Sequence, residues 1–125
     1  MKVEISDGEL LDKISILQIK SERIADESKL KNIRTEYEEL TRIGSKLLED
    51  SEVFALYNKV KEVNEALWDL EDDIRMKEKA KLFDEEFIRL AREIYRTNDK
   101  RAEVKKEINL LTGSLFVEEK SYEQY

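Results

Sequence analysis

The run LKNIRTEYEELTRIGSKL, residues 30–47, sets Leu30, Ile33, Tyr37, Leu40, Gly44 and Leu47 at alternating steps of three and four. That spacing lines one side of an α-helix and writes a heptad seam, so a coiled-coil-like helix is predicted over about 27–48. Toward the N-terminus, Ser6-Asp7-Gly8-Glu9 has the spacing of a capping box, in which hydroxyl and carboxylate each satisfy a terminal amide. A helix over about 7–24 follows, with Leu10, Leu11, Ile14, Leu17 and Ile24 on one stripe and Ile16 and Ile19 on the other side. Such a helix needs cover on two sides. It is central in a bundle, or its second face meets another subunit.

Toward the C-terminus, Ser51 reads as the N-cap of a helix over about 52–82, with Leu56, Val60, Val63, Leu67, Leu70 and Ile74 on one face. The fourth, over about 85–112, turns Phe87, Leu90, Ile94 and Ile108 inward, with Thr112 at its end and Gly113 placed as a left-handed cap. Short connections near Asp26, Asp50 and Asp84 make neighbours antiparallel. The expected fold is all-α: an antiparallel four-helix bundle or two crossed helical hairpins, one domain over 1–125 with a tail at 113–125. In that tail, Leu115, Phe116 and Val117 are expected to dock on the bundle; the alternative is that Lys120 and Tyr122 close over its polar seam.

Composition agrees. Ala, Glu, Lys, Leu and Arg fill 65 of 125 positions, Pro is absent and Gly occurs three times, a vocabulary for long helices. With no His and no Cys, triads, thiol chemistry and the usual zinc sites are excluded. No metal site and no cofactor is expected. Scattered glycines exclude a phosphate-cradling loop. A net charge of −7, shared evenly by the two halves, disfavours nucleic acid. No apolar run is long enough to span a membrane and the N-terminus lacks a secretory apolar region, so the expected setting is the cytoplasm.

The pattern breaks in one place. On the fourth helix Asn98, Arg101 and Lys105 share the side of Leu90 and Ile108, with Asn109 at its edge. Buried cations are costly unless paired. The third helix offers Asn64, Trp68, Glu71 and Arg75 within a narrow arc, and Glu71 is the expected mate of Arg101 or Lys105. The first adds Asp12 and Arg23 beside its second stripe, and Lys13 and Lys20 on the flank. Two readings compete. In one, a salt-bridge network fixes helix register. In the other, Arg75, Arg101, Lys105 and Lys20 or Arg23 grip a carboxylate or phosphate, with Trp68 or Tyr95 as a wall.

Two further patterns carry lesser alternatives. Arg89, Arg92, Arg96 and Lys100 form an outer stripe of the fourth helix that reads as a solvated face. The pairs Glu36/Glu39, Glu62/Glu65 and Asp69/Asp72 have the spacing to hold magnesium between helices, as in all-α nucleotide pyrophosphohydrolases.

The strings GELLDKISILQIKSERI (8–24), NEALWDLEDDIR (64–75) and YRTNDKRAEVKKEINLLTGSLFVEEKSY (95–122) resemble a family of small bacterial proteins classed as a domain of unknown function. The likeness spans nearly the whole chain and is thinnest over 36–61. It implies a contextual link to surface-polysaccharide synthesis and carries no catalytic residues. LLDKISILQIKSER is more faintly similar to the first helix of all-α chorismate mutases, which implies Arg and Lys holding a dicarboxylate. The expected function is therefore a binding or scaffolding module with a polar seam between the third and fourth helices, homodimeric through Ile16 and Ile19. The alternative is an enzyme or sensor for a small anionic ligand, mutase-like or magnesium-dependent.

Overall fold

The computed structural model describes residues 1–114 and contains four helices: α1 Asp7–Arg23, α2 Glu27–Glu49, α3 Ser51–Lys79 and α4 Glu85–Thr112. The expectations for Leu115–Val117, Lys120 and Tyr122 lie outside the described residues. Side-chain oxygens open every helix. Ser6, Asp26, Asp50 and Asp84 each accept an N–H from the first turn that follows. Asp50, not Ser51, caps α3, because its carboxylate reaches the amides of both Glu52 and Val53 and leaves Ser51 as the first helical residue. The helix also stops at Lys79 rather than near 82. Lys81 adopts a left-handed φ of 55°, and the amides of Lys81 and Leu82 turn back to the carbonyls of Glu78 and Lys77. Gly113, with φ 70°, is the expected left-handed cap of α4.

The helices run up, down, up, down. Leu10 and Ile14 lie against Gly44 while Leu17 meets Leu30 and Ile33, so α1 and α2 are antiparallel. Glu9 bonds Lys105 and Asp12 bonds Arg101, so α1 and α4 are antiparallel too. The bundle is flattened: α1 touches all three other helices, α3 included, whereas α2 and α4 scarcely meet. Leu10, Leu11 and Ile14 of α1 fill the core with Val53, Tyr57, Val60, Val104 and Ile108. Each such side chain contributes about 1.5–3 kcal/mol when fully buried. The expected α4 stripe shifts slightly, with Thr97 and Val104 buried and Phe87 and Ile94 half-buried.

This arrangement answers the question posed by the second face of α1. Ile19 is wholly buried and Ile16 half-buried within a single chain. α1 packs against both α3 and α4, so much of this face is covered within one chain.

Candidate functional site

The site grows from the place where α1 enters the bundle. Gly8 lies so close to α4 that an added Cβ would stand 2.5 Å from the carbonyl oxygen of Lys105, which is why a residue without a side chain is needed there. Three amides of the first turn are met by side chains: Ser6 Oγ accepts from Glu9, Asn109 Oδ1 from Gly8 at 2.7 Å, and Ser114 Oγ from Asp7. Two of these acceptors belong to the end of α4, so the positive end of one helix abuts the negative end of the other. The Glu9 carboxylate accepts from Lys105 Nζ at 2.6 Å across the bundle, where the capping box predicted a local role.

One turn on, Asp12 is wholly buried. Arg101 donates to it through a two-pronged fork, Nε to Oδ1 at 3.0 Å and Nη2 to Oδ2 at 2.7 Å. Asn64 Nδ2 donates to Asp12 Oδ1 at 2.8 Å and to Ser15 Oγ at 2.9 Å, and Lys105 Nζ stands 3.9 Å from Asp12 Oδ2. Two acids and two bases close a neutral network among α1, α3 and α4. The partner of Arg101 and Lys105 is therefore on α1. Glu71 instead accepts from Arg75 one turn along α3, since both point toward solvent.

Beside the network a cleft of about 440 Å³ opens between α1, α3 and α4. Ile16, Ile19 and Leu67 form an apolar floor. Trp68, Glu71, Asp72 and Asn98 stand around it, and Asn64 and Arg101 bring the buried network to one end. Five of the seven leading candidates thus share one cleft: Asn64, Trp68, Glu71, Asn98 and Arg101. Lys105 lies buried with Glu9 and Asp12, outside the lining, and Arg75 is exposed. Of the secondary candidates none lines the cleft. Arg23 donates to Asp69 at 2.7 Å and lies 5.7 Å over the Trp68 ring, Asn109 holds Gly8, Tyr95 is exposed on α4, and Lys20 is half-buried on α1. Of the two expected walls, Trp68 lines the cleft and Tyr95 does not.

Sequence reasoning undervalued Asp12 and missed Ser15 and Glu9 as network members. The signal was present, because Asp12, Ser15 and Ile19 recur at steps of three and four on the second stripe of α1. The acidic pairs do not assemble. Glu39 is paired with Arg42, and Glu65 and Asp69 with Arg23. Among the described residues no group of three or more acidic side chains is placed to hold a metal ion. On the outer stripe of α4, Arg89 pairs with Glu86 and Arg96 with Glu93. Among the described residues no helix is long and apolar enough to cross a membrane.

A family model described as a family of unknown function matches residues 1–125. No curated protein and no solved structure matches the chain.

Proposed function

The chain belongs to DUF6165, a family of unknown function, and from the chain's own geometry we propose a cytoplasmic binding and scaffolding module that takes an apolar segment of a protein partner into the α1–α3–α4 cleft. One observation carries this reading. Arg101, the cation best placed to hold an anionic substrate, already gives two N–H donors to the buried Asp12 carboxylate. What the cleft offers a visitor is the floor of Ile16, Ile19 and Leu67, the Trp68 indole, and the carboxylates of Glu71 and Asp72. An anion would meet acidic neighbours and a guanidinium already neutralised, whereas an apolar segment with a basic residue meets complementary groups. The polar seam then acts as the pin that holds three helices in register. The family likeness makes a protein of surface-polysaccharide synthesis the first partner to try.

Trp68 is the only tryptophan of the chain, so its fluorescence reports the cleft directly. A short amphipathic Leu-Lys peptide should shift its emission to the blue, and Asp72→Lys should weaken that binding with the fold intact. The contrary result is thermal stabilisation by one class of anion: phosphate, a dicarboxylate such as chorismate or prephenate, a nucleotide sugar or a nucleotide. At a hundred times its dissociation constant such a ligand adds about 2.7 kcal/mol, a rise of roughly several degrees. If that rise vanished in an Arg101→Met chain that still folds, the site would belong to an enzyme or sensor instead.

A further inference from the structure

Helices α2 and α3 are separated by one residue. Asp50 is at once the C-cap of α2 and the N-cap of α3, with φ −74° and ψ 126°. Its φ is already close to that of a helix, so a rotation about ψ alone would run α2 into α3 without a break. The neighbouring sequence does not forbid it. Residues 45–54, SKLLEDSEVF, hold neither glycine nor proline, the two residues least tolerated inside a helix. What keeps the chain bent is the Asp50 carboxylate, which accepts from the amides of Glu52 at 2.9 Å and Val53 at 3.1 Å. A straight chain would trade these two bonds for backbone bonds across the junction. Connections between the helices of a bundle usually run to two residues or more, and a hinge this short invites copies to exchange elements.

The polar ties of the bundle bypass α2. α1 is bonded to α3 through Asp12 with Asn64, Gln18 with Tyr57 and Arg23 with Asp69, and to α4 through Asp12 with Arg101 and Glu9 with Lys105. Among the described residues no side chain of α2 hydrogen-bonds or ion-pairs with another helix; Arg42 meets Glu39 and Thr35 meets Lys31, each within α2. The return of α2 alongside α3 therefore rests on apolar contact and on Asp50. The α1–α2 hairpin is the unit that can change hands. Its inner contacts, Leu17 with Leu30 and Ile33 and Ile14 with Gly44, travel with it. Every bond that α1 gives up in its own chain is offered again by the α3–α4 hairpin of a second copy.

We propose that two copies exchange their α1–α2 hairpins by straightening at Asp50, so that 27–79 becomes one helix of about 80 Å. Asp12, Ile16 and Ile19 of each copy then complete the cleft of the other against Asn64, Leu67 and Arg101. The second copy is selected by contacts the single chain already makes, not by an exposed patch.

Sedimentation equilibrium of the full chain should show a concentration-dependent dimer. Ser51→Pro should be monomeric at every concentration, because proline suits the first position of α3 and the extended ψ before it but breaks a continuous helix. Asp50→Ala removes the cap, favouring the straight form about fivefold at each hinge, so with two hinges per dimer association should tighten roughly thirtyfold. Adding Ser51→Pro to Asp50→Ala should abolish that gain. The chain has no cysteine, so spin labels on Arg34→Cys and Ala66→Cys, both exposed positions, read the bend itself when labelled chains are diluted into unlabelled ones. In the dimer this pair should stand about 48 Å apart along one helix, well beyond its separation where α2 folds back beside α3. A chain monomeric even at millimolar concentration, a dimer that lacks the long distance, or one that survives Ser51→Pro would overturn the proposal.

Discussion

The two ends of the α3–α4 hairpin are built from similar residues and have opposite fates. At the base, Val60 and Ile108 are wholly buried in one cluster with Leu11 and Ile14 of α1; at the tip, Met76, Leu82, Phe83 and Ile88 stand in solvent. Length explains the contrast. At 1.5 Å per residue α3 and α4 run about 44 and 42 Å, whereas α1 is only about 26 Å long. The short central helix can seal one end of the hairpin and not the other. Sealing the base also traps polar groups, so that end needs its network closed. The tip needs no internal network and has apolar surface to offer a partner.

The largest effect should come from opening the network at the base. Arg101→Met strips two donors from the buried Asp12 carboxylate, and urea unfolding should record a loss of about 3–5 kcal/mol. The double change Asp12→Leu with Arg101→Met should recover much of this, since no lone charge is left inside. Next comes Gly8→Ala, which drives a methyl into the Lys105 backbone. Overpacking there should cost about 1–3 kcal/mol, seen as a lower melting temperature.

At the tip the signs change. Lys81→Gly relieves a left-handed lysine and should raise monomer stability by about 1 kcal/mol. Smallest of all is the pH response of this end. A hydrogen bond from Lys77, helped by the Phe87 amide, holds the Asp84 carboxyl below the usual carboxylate range, and Arg89 does the same to Glu86. A lowered folded-state pKa gives stability that is present above the unfolded value near 4 and lost as pH falls through the folded one. The melting temperature should therefore dip slightly below about pH 4, and less so in high salt. Asp84→Asn should keep the helix cap and flatten that part of the dip.

Much of this was legible in the residues. The heptad seam of 30–47, the helix-stop at Gly113 and the inward turn of Asn98, Arg101 and Lys105 follow from spacing alone, because a helix repeats every 3.6 residues. The same spacing gathered Asn64, Trp68 and Glu71 on one arc of α3, and all three do line the cleft. Periodicity says which way a residue faces along its own helix. It does not say which helix stands opposite.

That second question was answered only in three dimensions. Glu71 looked like the mate of Arg101 until the flattened bundle brought α1 across the diagonal and put Asp12 there instead. Likewise the second apolar stripe of α1 pointed either to a central place in the bundle or to another subunit, and Ile19 is buried within the chain itself. By itself the sequence determined an all-helical chain with a cationic seam facing inward. Tertiary packing decided which acid neutralises that seam, which face is sealed and which end of the hairpin is left bare, because each depends on relative helix lengths and crossings that no local pattern encodes.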